Sequence, residues 1–168
     1  MPDIKIVIRS YNSRTSEASK LKKASESLLD YPCKVLNTGE PSVLYNHIFV
    51  MMLYKEVCRT QEDYLLILED DMLFSKTAAS KLRCVTKRNI DVCWFSIPNN
   101  KVLSFAIRLI NGEYLLQSYD TFYYSGSILL KKQLLKAYIS SYLMNYMCFE
   151  YPEFDITMSH FLKSNVGH

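Results

Sequence analysis

The chain has 168 residues, 49% of them hydrophobic and 22% charged, which is enough apolar material for one packed domain and too much for a disordered segment. Lys and Arg total 20 against 17 Asp and Glu, a net charge of +3, too small a surplus to predict or to exclude a nucleic-acid partner. The 4 glycines, Gly39, Gly112, Gly126 and Gly167, lie too far apart for G-x-G-x-x-G or a Walker loop, so any bound phosphate must be held by a metal, by cations or by a helix end.

In chain order, Ile4 to Ile8 is a β-branched apolar run that predicts a first strand. It begins almost at Met1, so no signal peptide is expected. Thr15 to Leu29 carries Ala18, Leu21, Ala24, Leu28 and Leu29 at helical spacing, with Lys20, Lys22, Lys23 and Glu26 opposite. Lys34 to Leu36 predicts a second strand, Asn37 to Glu40 a loop, and Pro41-Ser42 the opening of a helix from about Val43 to Cys58. That helix holds the most apolar stretch of the chain, Val43 to Tyr54, which is too short to span a bilayer and is interrupted by Asn46 and His47.

Tyr64 to Leu68 is continuously apolar and predicts a central buried strand. Ser75 is the expected cap of a helix with Lys76 to Lys87 as its body, made basic by Lys76, Lys81, Arg83, Lys87 and Arg88. Val92 to Ile97 predicts a strand ended by Pro98-Asn99-Asn100. Val102 to Ile110 and Glu113 to Ser118 flank Asn111-Gly112, a strong hairpin signal. Phe122 to Leu130 predicts a further strand, Gln133 to Met147 a helix, and Phe154 to Lys163 a last helix. The alternation of strands and helices argues for an α/β domain with a mostly parallel central sheet flanked by helices, a single domain over residues 1–168. The 5 cysteines, Cys33, Cys58, Cys84, Cys93 and Cys148, form no C-x-x-C and are odd in number. With no N-x-[ST] sequon, they point to reduced thiols and a cytoplasmic setting.

The most informative feature is Glu69-Asp70-Asp71 directly after the buried strand. Adjacent acids at the rim of a core repel one another unless a cation or another partner offsets them. In open α/β sheets, ligands gather at the carboxyl ends of the strands. Mg²⁺ or Mn²⁺ suits oxygen donors there, taking one or two carboxylates and leaving its other positions to water and substrate phosphates. The simpler reading is a solvated acidic turn.

A strand, then E-D-D, then Met72-Leu73-Phe74 and a capped helix resembles the D-x-D region of GT-A glycosyltransferases, enzymes with a Rossmann-like sheet that use nucleotide sugars. The E-D-D variant is similar to that of N-acetylglucosaminyltransferases and of small viral and bacterial transferases. Other segments agree in order along nearly the whole chain. Ile8 to Arg14 resembles the first-strand loop that holds the nucleotide, and Tyr45-Asn46-His47 lies where such enzymes approach the donor. Phe122 to Ser127 resembles the segment that shapes the acceptor side. Glu153-Phe154-Asp155 resembles the late acid that serves as base, and Val166-Gly167-His168 the C-terminal histidine that adds a metal ligand.

The resemblance implies Mn²⁺ or Mg²⁺ on Asp71, Glu69 and His168. It implies a UDP- or GDP-linked sugar on Arg9, Ser10, Tyr11, Asn12, Arg14, Asn46, Glu69 and Asp70. Asp155 is then the base of an inverting transfer to a hydroxyl of a glycan, a protein or a modified nucleobase, without stable membrane insertion. The cytoplasm is the expected location, that of the host for a viral source. The chain is short for the family, so the final acceptor-binding elements are expected to be missing or to come from another domain or subunit. Simpler roles stand beside these: a helix N-cap for Asp155, a frayed end for His168, surface charges for Arg9, Arg14 and Lys131. Asp120 is the second candidate base. A non-catalytic nucleotide-sugar or glycan-binding module is the alternative function. A metal-dependent phosphodiesterase needs more converging acids and histidines than the sequence offers.

Overall fold

The computed structural model describes residues 3–40, 42, 44–74, 76–95, 107–110, 113–116, 126–146 and 153–165. The elements run β1 (Ile4–Ser10), α1 (Thr15–Leu29), β2 (Cys33–Asn37), α2 (Tyr45–Arg59), β3 (Tyr64–Glu69), α3 (Ala78–Lys87) and β4 (Val92–Trp94). They continue with β5 (Ile107–Ile110), β6 (Glu113–Leu116), β7 (Ser127–Lys131), α4 (Lys132–Asn145) and α5 (Phe154–Asn165). Five strands form one sheet in the order β2-β1-β3-β7-β4. β1 pairs parallel with β2 and β3, while β7 lies antiparallel between β3 and β4, so β7 alone runs against the other four.

The two-residue period of the strands divides the core into two layers. Ile4, Ile6 and Ile8 of β1, Tyr64, Leu66 and Leu68 of β3 and Leu129 of β7 pack with Ala18 and Leu21 of α1 and Leu82 of α3. Val7, Leu65, Ile67, Ile128 and Leu130 point the other way, into a layer with Phe49 and Leu53 of α2, Tyr138 and Tyr142 of α4, and Phe154 and Leu162 of α5. β3 is buried on both faces because it lies mid-sheet between these layers, as its unbroken apolar run predicts. Each fully buried leucine or isoleucine contributes about 1.5–3 kcal/mol over an exposed one.

α1 has the predicted limits, and its chain reversal falls on Asp30, which takes the left-handed conformation with φ 56°. α3 starts later than expected: Thr77 precedes it without a side-chain cap bond, and Ser75 lies outside the described residues. β7 starts at Ser127 rather than Phe122; residues 117–125, with Tyr119, Asp120 and Phe122 to Ser125, are also outside them. β5 and β6 pair antiparallel with Ile110 opposite Glu113, which leaves two intervening residues, Asn111 and Gly112, as the hairpin signal requires. No helix among the described residues is long and apolar enough to cross a membrane.

Candidate functional site

Parallel pairing aligns β1 and β3 so that Arg9 stands opposite Glu69. The two chain segments that leave the sheet here, Ser10 to Arg14 and Glu69 to Met72, therefore emerge side by side at its carboxyl edge. The first segment is fastened to the loop after β2. Thr38 donates its backbone N–H to the Ser10 carbonyl at 2.9 Å, and the Asn12 N–H donates to the Gly39 carbonyl at 3.0 Å. Asn37 Nδ2 donates to Asn12 Oδ1 at 2.9 Å. Gly39 has φ 84°, a backbone conformation that other residues adopt only with strain. On the other side, the Glu69 N–H donates to the Gly126 carbonyl at 3.0 Å, and the Met72 N–H closes a turn on the Glu69 carbonyl at 3.2 Å.

The acids divide within this turn. Asp70 folds inward, its side chain 2% exposed, while Asp71 remains 55% exposed. Arg14 spans both, with Nε 3.1 Å from Asp70 Oδ1 and an Nη 3.5 Å from Asp71 Oδ2. The other Asp70 oxygen, Oδ2, is buried and has no hydrogen-bond partner. Burial pushes the Asp70 carboxyl above its usual range. Ser10 and Arg14 pull it back only in part, and the Asp71 charge adds to the rise.

Across the sheet edge, on the face of α2 and α4, lies Arg9. It is 6% exposed. Its guanidinium donates to Asn46 Oδ1 at 2.6 Å and lies over the rings of Tyr45 and Phe49, 4.4 and 4.9 Å from their centroids. Arg9 Nε has no hydrogen-bond partner. His47 Nδ1 and the Tyr142 hydroxyl share a bond of 3.0 Å. Burial pushes that phenol up to about 12, with the Arg9 charge drawing it back, so it stays protonated at neutral pH.

Arg9, Ser10, Tyr11, Asn12, Arg14, Asn46, Glu69, Asp70 and Asp71 thus share one edge of the sheet. Asp155 lies in the first turn of α5, half-buried, and its Oδ1 accepts the Ile156 N–H at 3.0 Å. Its neighbour Phe154 packs on Phe49 and Tyr138, in the layer that holds Arg9. His168 lies outside the described residues, among which no group of three or more His, Cys, Asp or Glu converges as a metal site. The donors present still fit a hard divalent cation: an exposed carboxylate on Asp71, Glu69 two residues before it, and a buried Asp70 oxygen with no partner.

Sequence reasoning missed the grip of Arg14 on both acids and the aromatic seat of Arg9. The periodicity of α2 puts Phe49 one turn after Tyr45 on a buried face, a signal that could have found the seat. No local signal announces the His47–Tyr142 bond, which joins residues 95 apart.

No family model matches the sequence, and no curated protein matches it. Among solved structures, the chain is similar to the crystal structure of a glycosyltransferase involved in the glycosylation of the major capsid of PBCV-1. The TM-score is 0.52 at 13% identity, over 92% of this chain and 73% of that one. The likeness is one of fold: the five-stranded α/β sheet with helices on both faces is a Rossmann-like architecture that a glycosyltransferase also adopts.

Proposed function

We propose that residues 1–168 form a metal-dependent GT-A-type glycosyltransferase domain that moves a sugar from a UDP- or GDP-linked donor to an acceptor hydroxyl with inversion. The observation that carries the reading is Asp70: a carboxylate 2% exposed, with one oxygen unpartnered, at the carboxyl edge of an α/β sheet. A buried acceptor without a donor costs roughly 1–3 kcal/mol. A ribose or sugar hydroxyl arriving at that edge supplies the missing donor.

In this reading Asp71 and Glu69, joined by His168, hold Mn²⁺ or Mg²⁺. When bound, the cation supplies positive charge that offsets the leaving diphosphate. Ser10, Tyr11 and Asn12 line the donor, with Arg9 fixed by Asn46 and Arg14 at the acids. Asp155 accepts the proton of the acceptor hydroxyl as its oxygen attacks the anomeric carbon, and the bond from sugar to phosphate breaks on the opposite side. A glycan, a protein or a modified nucleobase fits as acceptor, in the cytoplasm.

One observation favours a second reading, a non-catalytic nucleotide-sugar-binding module: the Asp155 carboxylate already accepts a helix N–H at its own position. Turnover of UDP- and GDP-sugars with acceptor panels separates the two. The enzyme reading expects Asp155→Asn to lower turnover about 10²–10⁴-fold with donor binding intact. Donor binding by the unaltered chain with no turnover of any sugar favours the module.

A further inference from the structure

Arg14 has a double hold on the acidic turn. Its Nε lies 3.1 Å from the buried Asp70 and an Nη lies 3.5 Å from the exposed Asp71. It is the last residue of the short helical turn Asn12–Arg14, which is anchored through Asn12 to the Gly39 and Asn37 loop. The backbone is thereby fixed, while the Arg14 side chain remains 33% exposed. Asp70 Oδ2 is still unpartnered beside it, so one guanidinium does not saturate the pair. A cation on Asp71 would share that carboxylate with a guanidinium nitrogen 3.5 Å away, and a unit positive charge within a few ångströms of a divalent ion weakens its binding roughly tenfold even at the dielectric of water.

We propose that Arg14 is the resident counter-ion of the acid pair: it partly offsets the charge of Asp70 and Asp71 in the unliganded protein and releases them when a divalent cation binds. Arg14 therefore sets the metal affinity of the site as a competitor. The freed guanidinium, at the same edge, becomes available to an anionic group of the incoming ligand. No bond is made or broken; one cation exchanges for another. The inference rests on the metal reading of the proposed function.

The test is calorimetric titration of the full chain with Mn²⁺ alone, with thermal unfolding in parallel. Arg14→Gln removes the charge, and Arg14→Lys keeps it. Arg14→Gln is expected to bind Mn²⁺ about tenfold more tightly than the unaltered protein. It is also expected to melt lower in chelator and to gain more from Mn²⁺, because ligand stabilisation grows with affinity. Arg14→Lys is expected to stay near the unaltered protein in both. A merely structural arginine would lower the melting point equally with and without Mn²⁺. That result, or an unchanged or weaker Mn²⁺ affinity in a folded Arg14→Gln, overturns the competitor role while leaving the metal reading standing. Absence of Mn²⁺ binding in all three proteins overturns the metal reading and the competitor role with it.

Discussion

The sheet carries a buried carboxylate at each end, and the two are finished differently. At the amino edge, Glu56 of α2 has both oxygens taken, Oε1 by Lys34 at 2.6 Å and Oε2 by Lys5 at 3.1 Å. Burial alone would raise this carboxyl, but the hydrogen bonds from Lys34 and Lys5 outweigh it and hold the group below its usual value. At the carboxyl edge, Asp70 has one oxygen on Arg14 and its Oδ2 without a hydrogen-bond partner, and burial prevails over the pull of Ser10 and Arg14. Both sites hold buried acids and nearby cations. Only Glu56 is closed. A closed ion cluster is what stability alone asks for, whereas an unfinished one at a ligand edge retains bonding capacity for something that arrives later.

The comparison breaks most visibly under substitution of the closed end. Glu56→Ala leaves two lysines without their shared partner. Complete burial of all partners would make the loss about 3–5 kcal/mol, but Lys34 and Lys5 reach water, so about 2–3 kcal/mol is expected in denaturant unfolding at neutral pH. Asn46→Leu comes next. It strips the Arg9 guanidinium of its acceptor within the aromatic seat, and about 1–3 kcal/mol is expected by the same measurement. Equal stability in either variant would mean that the corresponding polar contact carries no weight.

Asp70→Asn has the smallest expected effect on stability, with the opposite sign. It removes a charge that burial disfavours but also weakens the bond to Arg14, so at pH 7 the change should stay within about 1 kcal/mol, on the side of a gain. The pH dependence sharpens the contrast. Glu56, lowered from 4.5, contributes stability above that value and loses it as pH falls through its folded value. Asp70, raised from 3.8, carries no penalty below that value and the full penalty above its folded one, so acidification relieves it. Unfolding midpoints followed from pH 7 to well below 3.8 should therefore fall less steeply in Glu56→Gln and more steeply in Asp70→Asn than in the unaltered protein.

The layers of this fold were legible because they depend on short-range pattern. The unbroken apolar run of β3, the spacing in α1 and the Asn111-Gly112 signal for the β5–β6 pairing each depend on neighbours a few residues apart. The acidic turn was legible as composition at a strand end. What escaped depends on register. Arg14 meets Asp70 and Asp71 only because β1 pairs with β3 so that Arg9 faces Glu69, a choice no local window contains. Glu56 escaped for a related reason: it sits in an apolar helix, and its lysines come from the starts of two strands that neighbour each other only in the folded sheet. Thr77 in place of Ser75 before α3 marks the weaker kind of local inference, a boundary set without a side-chain cap bond.

The central claim is that the unfinished edge is completed by a divalent cation and a nucleoside diphosphate together. Calorimetric titration of UDP and GDP into the unaltered chain and into Asp71→Ala, each with Mn²⁺ and with chelator, tests it most directly. The account predicts binding of one of the two nucleotides in the presence of Mn²⁺, at least tenfold weakened by chelator and by Asp71→Ala alike. Equal nucleotide affinity with and without Mn²⁺, or an Asp71→Ala protein that binds as the unaltered one does, would contradict it.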